Sequence, residues 1–428
     1  MTVAAPHRPG SRTPQDGLAR RTASAVSGTP ARLGLAQLAS VLACAALGIA
    51  GFLAGTGQAA DLDTAHADAV DLVVTHELRN ALVSADASAT SAFLVGGLEP
   101  TATRESYSEN LAAAAHAIPP LAARAPEHAE ELATVSEAVQ RYAGLVESAR
   151  ANNRQGFPVG IGYLDLASAT LRDEVLPVLD DVADHVTVRM GGHLSAVSSR
   201  QALLLVGAGA LVVLGLVQWW LARRTHRMIS PWMVVATTVA LVGGVAASIG
   251  VIGGNVVARN VAAGPYAATV ASSAALAEAT DAKSQESLTL IKRGSGREHE
   301  ERFEESTARA AALLSASDDA VGTGRPTGQL LQTWLDAHAE IRALDDSGRW
   351  EDAVAAAVAT DDDSATAAFE TFAAQAGQDV TTTGERAAVV LTKASAVSHA
   401  AGWVALVAGL LAACLTTAGI WTRQREYL

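Results

Sequence analysis

The residues best suited to chemistry are few and scattered. The runs DDVADH (Asp180 to His185) and DDD (Asp361 to Asp363) carry carboxylates of the type that hold a divalent cation. A solvated acidic helix face has the same composition, and no metal ligand is assigned to either run. His66, His76, His185 and His193 spread over more than one helical face and are expected at the surface or the edge of a bundle. Gly-rich phosphate loops, nucleophile elbows, paired histidines at metal-ligand spacing and kinase signatures do not occur; the glycines of GVIGGN and GAGAL fall in apolar stretches. These residues supply no catalytic group and no cofactor site, and an enzyme is not expected.

Two other residue sets have a physical purpose. Gly51 with Gly55, and Gly250 with Gly254, have the spacing that lets helix backbones approach closely in lipid, and are candidate packing contacts. Arg223, Arg224 and Arg227 cluster in LARRTHRMISPW, between two long apolar stretches, as a topology anchor and candidate cytoplasmic contact.

The elements that position them are membrane helices. The 428 residues are 50% hydrophobic but only 4% aromatic, a mixture of Ala, Val and Leu that suits helices. No Asp, Glu, Lys or Arg occurs between Arg32 and Asp61, Arg200 and Arg223, Arg227 and Arg259, or Lys393 and Arg423. Each gap holds roughly 20 apolar residues, enough to cross a bilayer as a helix. The first exceeds the usual h-region of roughly 7 to 15 residues and is kept as an anchor, with no cleavage or lipidation at Cys44. Charge-free spans also argue against a pump or carrier.

Ten Arg against Asp16 and Glu426 place segments 1–32, 223–231 and 423–428 in the cytoplasm. Segments 56–200 and 255–399 carry 20 acidic against 9 basic and 22 against 12 basic residues, and face outward. The expected order is a disordered basic tail (1–32), spans at 33–55, 201–222, 232–254 and 400–422, outer bundles at 56–200 and 255–399, a cytoplasmic loop (223–231) and a cytoplasmic tail (423–428). Both termini are expected in the cytoplasm of a multi-pass cell-membrane protein.

A shift of about 195 to 199 residues lays the second half on the first: TSAFLVGGLEPTATRESYSEN (90–110) meets QESLTLIKRGSGREHEERFEES (285–306), and SAVSS (195–199) meets SAVSH (395–399). Stripes at helical spacing run through Leu132, Val135, Val139, Tyr142, Val146 and Ala149, and through Phe369, Phe372, Ala376, Thr383, Ala387, Val390, Ala394 and Val397. Gly96, Gly97 and Pro100, then Pro119, Pro120 and Pro126, then Asn152 to Pro158, read as helix breaks. The fold class expected is all-α: four transmembrane helices with two tandem-duplicated extracytoplasmic four-helix bundles.

Two outer bundles with almost no cytoplasmic mass describe a transducer whose output lies in another polypeptide. The bundles resemble, in fold alone, the ligand domains of chemoreceptors and sensor kinases. The whole layout, with its Arg-rich tail, paired outer domains and short RRTHRMISP loop, resembles the actinobacterial GlnX-type membrane proteins. That resemblance implies an amino-acid-binding lipoprotein outside and the cytoplasmic Ser/Thr kinase PknG inside. The partners expected are therefore membrane lipid, a solute-binding lipoprotein, a protein kinase and, through the glycine pairs, a second copy in a homodimer; nucleic acid is not expected. A scaffolding envelope protein and a direct small-ligand sensor are the alternatives, the last requiring buried Arg or Thr near a membrane-distal groove.

Overall fold

The structure is a computed structural model that describes residues 29–95, 99–156, 158–225, 231–322 and 324–424. Residues 1–28, Arg227 and residues 425–428 lie outside these, as does the side chain of Arg224. Every regular element among the described residues is helical, and four helices are long and apolar enough to cross a membrane.

The first half comprises α1 (Thr29–Val95), α2 (Thr101–Arg124), α3 (Ala129–Arg154), α4 (Val159–Thr170), α5 (Leu176–Ser199) and α6 (Ala202–Thr225). The second comprises α7 (Pro231–Val261), α8 (Ala267–Ile291), α9 (Arg297–Val321), α10 (Thr327–Asp346), the short α11 (Trp350–Val358) and α12 (Ala365–Gln424). Single turns of π-helix at Leu171–Val175 and Ala262–Tyr266 join α4 to α5 and α7 to α8. At the second, Gly264 leaves helical geometry (φ −112°, ψ −106°) just before Pro265, whose ring cannot follow a regular turn.

Residues up to 60, 197–254 and from 395 onward form one compact unit, and residues 61–196 with 255–394 form another. The first unit is held by small residues. A Cβ on Gly55 would sit 2.6 Å from the Ser398 carbonyl oxygen and 2.7 Å from the Gly402 Cα, and one on Gly409 would sit 2.7 Å from the Gly48 Cα. Gly51 lies against Ala405, Gly250 against Ala401, and Gly254 against Ser398 and Gln58. All four sequence-selected glycines thus contact residues in or beside α12. Gln58 adds polar links: its amide donates to the Val251 carbonyl (2.8 Å) and its oxygen accepts from Ser398 (3.1 Å). Large side chains such as Leu205, Val212, Val242 and Ile249 point outward, the surface that lipid requires.

The second unit has two cores, each drawn mainly from one half, with Leu288 entering the first and Leu94 the second. Leu82, Leu121, Leu132, Val135, Tyr142, Leu164 and Leu179 fill the first; Phe303, Leu331, Trp334, Ile341 and Phe372 fill the second. The α3 stripe is buried throughout, whereas Val390 and Val397 of the α12 stripe are exposed. Pro119 and Pro120 do not end a helix as their type suggested: they lie within the closing turns of α2, where buried Ile118 and Leu121 hold the helix to the core until Ala125, before Pro126.

The two halves meet along α1 and α8. Asn80 donates to Ser273 (3.2 Å), Thr90 to Ser284 (3.4 Å), and the hydroxyls of Ser91 and Ser287 lie 3.3 Å apart, each pair 193 to 196 residues apart in sequence. Asp86 is enclosed here, accepting from Ser168 (2.7 Å) and Ser284 (2.9 Å). Burial pushes the Asp86 carboxyl up, against the pull of Arg172, and burial likewise raises Asp281.

Two outcomes test this packing. Gly55→Leu forces its side chain into the α12 backbone, an overpacking worth about 1–3 kcal/mol; the detergent-solubilised protein should melt several degrees lower, whereas Gly215→Leu, at a position with open space, should leave the melt unchanged. For Asp86, the folded state holds its proton more tightly than the unfolded chain, whose carboxyl titrates near about 3.9. Its contribution is complete below that value and is lost as pH rises through the raised folded value. The melting-temperature advantage of Asp86→Asn over the parent should therefore grow between acidic and neutral pH, and a constant difference would show that the carboxyl titrates normally.

Candidate ligand site

A cleft opens where α1 ends and α3 turns into α4. It is lined by Ala92 and Phe93 from α1, Glu99 from the following turn, Arg104 from α2, Arg150, Asn153 and Arg154 from α3, and Leu164 from α4. The close approach of α4 depends on Gly160, where a Cβ would lie 3.1 Å from the Ala149 carbonyl oxygen and 3.2 Å from Phe93 Cζ. The cleft holds about 80 Å³, room for a carboxylate or a few water molecules at about 30 Å³ each.

Arg150 dominates the site. Its side chain is 9% exposed, with the guanidinium donating to Glu99 (2.7 Å) and Glu147 (2.6 Å) and lying 4.2 Å over the Tyr107 ring. Burial works against the charge of Arg150, but its two carboxylate partners raise its pKa above the ordinary value. Nε is buried without a hydrogen-bond partner among the described residues, a donor left over after both carboxylates are served. Arg104 and Arg154 are exposed on the lining, so three arginines stand against two carboxylates, Glu99 on the lining and Glu147 beside Arg150. This excess favours a small anion, and a guanidinium matches a carboxylate in a bidentate manner.

Side-chain contacts lead from the cleft to the contact between the halves. Tyr107, beneath Arg150, lies 6.4 Å from the Tyr142 ring, and Tyr142 borders Asp86 closely enough for that carboxylate to raise its pKa after burial has done so. Burial likewise pushes Tyr107 up to about 12. Asp86 then accepts from Ser284 on α8.

The second half buries its charges differently. Lys283 pairs with Glu286 (2.5 Å), and His338 bridges Glu286 (2.9 Å) and Glu300 (3.1 Å) while stacking on Phe303 at 3.7 Å. Burial alone would raise Glu286, but Lys283 and His338 beside it hold its carboxyl down to about 2. Burial would lower His338, and its two carboxylate partners raise it instead. These groups answer one another and leave no comparable charge excess.

The sequence-selected residues do not meet in this cleft. Gly51, Gly55, Gly250 and Gly254 pack apolar helices in the other unit, and Arg223, at the end of α6, lies 4.2 Å over the Trp219 ring. Asp180 instead pairs with Arg79 (3.1 Å), and the described residues hold no group of three or more potential metal ligands. The arginine cleft was missed because its residues come from four helices and a turn. One local sign was available: Arg150 and Arg154 stand four apart, a like-charge pair on one helix face that costs stability unless something offsets it.

No curated protein and no solved structure matches the chain. Residues 61–193, which contain the entire cleft, match the family described as Actinobacterial sensor domain.

Proposed function

We propose that the protein is a non-enzymatic transmembrane sensor in which the arginine cleft binds a small carboxylate-bearing ligand outside the cell. Occupancy biases the α1–α8 contact, and a separate cytoplasmic protein reads the change. The observation that carries this reading is the unpartnered, buried Nε of Arg150 inside a domain of the sensor family. It favours direct sensing, since a buried Arg beside a groove is what that alternative required. The relay has a physical route: α1 spans Thr29–Val95 without interruption, and so includes both an apolar membrane-length stretch and the cleft residues Ala92 and Phe93. A ligand shifts such an equilibrium only by its differential affinity for the two helix arrangements.

The two halves are read as copies of one ancestral unit. Asp86 and Asp281 stand 195 apart in sequence, on the diagonal that aligns the halves, and each is a carboxyl raised by burial. One chain then supplies both partners of a pseudo-dimeric contact, making a homodimer unnecessary for that contact. Inside the cell, Arg223, Arg224 and Arg227 are the proposed contact for a partner such as a Ser/Thr kinase, as the GlnX-type resemblance implies. A solute-binding lipoprotein is the partner proposed outside, where it would deliver ligand to the cleft.

Calorimetric titration of the full chain in lipid nanodiscs with glutamate, glutamine, succinate and acetate tests the site. Removal of the two exposed arginines in Arg104→Ala/Arg154→Ala should weaken the best of these ligands at least tenfold while leaving the unliganded melting temperature unchanged. Equal affinity in parent and variant, or no binding by any of the four at millimolar concentration, would remove the cleft as the sensory site.

A further inference from the structure

A second cavity in the outer unit differs from the arginine cleft in every chemical respect. It lies between α1 and α12, with α8 as its floor, and holds about 340 Å³, inside the range of about 300–1,000 Å³ typical of small-molecule sites. Val70, Val73 and Val74 form one wall, and Val380, Ala387 and Ala388 the other. Val70 is exposed despite this apolar setting, which leaves hydrocarbon surface for an occupant to cover.

The polar groups are of one kind. Glu77 and Glu385 line the cavity, no Lys or Arg does, and buried His66 Nδ1 has no hydrogen-bond partner among the described residues. Two carboxylates and an imidazole nitrogen able to accept a proton donor suit a positively charged head, while the valine walls suit an apolar body. An anion of the sort that fits the arginine cleft would meet repulsion here.

The floor is an irregular place in the fold. Tyr266 closes the π turn that contains Gly264, and Thr269 Oγ1 lies 2.8 Å from the Pro265 carbonyl oxygen and 2.8 Å from Thr383 Oγ1 on α12. The helix break is thus tied directly to the opposite wall of the cavity. A molecule filling the space would touch both sides of that link.

We propose that this cavity is a second ligand site, selective for small amphipathic ammonium compounds, whose occupancy fixes α1 and α12 against the Gly264–Pro265 break. It receives the apolar body between the valines and the ammonium between Glu77, Glu385 and His66. The site is independent of the arginine cleft and takes ligands of the opposite charge.

Three probes of nearly equal shape test it: 2-phenylethylammonium, 2-phenylethanol and 3-phenylpropanoate, titrated against the full chain in nanodiscs of zwitterionic lipid. Calorimetry gives affinity, and amide hydrogen exchange over residues 66–77 and 380–388 gives location. The ammonium compound should bind at least tenfold more tightly than the alcohol and slow exchange in both segments, and the carboxylate should do neither. Glu77→Gln/Glu385→Gln should reduce the preference for ammonium over alcohol at least fivefold. Gly384→Leu, at a helical position whose Cβ would meet only Thr269 at ordinary contact distance, should fill the cavity and abolish binding without lowering the melting temperature. Equal binding of ammonium and alcohol, protection elsewhere in the chain, or unchanged binding in folded Gly384→Leu would overturn the proposal, as would failure of the ammonium compound to bind at millimolar concentration.

Discussion

The unit of residues 61–196 and 255–394 depends on one contact, the passage of α1 against α8. Residues 282–290 of α8 are all buried, although they include Lys283, Gln285 and Glu286, so this helix has no solvent face along that stretch. Ala, Ser and Thr dominate the contact because larger side chains would separate the helices and leave Asp86 and its serine partners unsatisfied. Burying a polar side chain without a partner costs about 1–3 kcal/mol on mutational scales. The hydroxyl ladder from Asn80 and Ser273 to Ser91 and Ser287 therefore fixes the register of the two helices as well as joining them.

A chain of contacts leads from that register to the arginine cleft. Arg150 rests on Tyr107, Tyr107 faces Tyr142, and Tyr142 borders the Asp86 carboxyl whose other oxygen accepts from α8. Each contact is between packed, poorly hydrated groups, where electrostatic effects are weakly screened. A displacement of Arg150 by an anion is felt first by Glu99 and Glu147 and next by the tyrosine beneath it.

The parts of this architecture that follow a period were legible in the sequence. Apolar stretches free of Asp, Glu, Lys and Arg specify the membrane-length helices, and the stripe from Leu132 to Ala149 is buried at every position. The parts that depend on what one helix meets in another were not. Nothing local distinguishes buried Glu286 from exposed Glu298, because each has a basic neighbour within one turn, Lys283 and Arg302, and only Glu286 also meets His338 from another helix. Val390 and Val397 follow the α12 stripe yet face outward, since a period says which residues share a face and not how far along the helix that face is covered. Gly48, Gly402 and Gly409 escaped notice for a related reason: each needs a partner glycine or backbone on a different helix before its size has a purpose.

The π turn at Leu171–Val175 shows how a local irregularity serves this long-range order. Each π turn adds one residue to the helix and rotates the downstream residues by about 100° relative to an uninterrupted 3.6-residue repeat. On either side of the Leu171–Val175 turn, α4 keeps Leu164 and Ala167 in the core and α5 keeps Leu179, Val182 and Val186 in it. The inserted turn carries Arg172, whose charge pulls down on both Asp86 and Asp281 against the effect of burial. One guanidinium thus moderates two buried carboxyls, one from each half, and the asymmetry matters because no arginine stands at the corresponding place near residue 368. Arg172, joined at Asp281 by Arg79, places the compensating charge on the first half of the chain, so the two halves are not energetically equivalent. An input to the first half and an equal input to the second would shift the α1–α8 contact by different amounts.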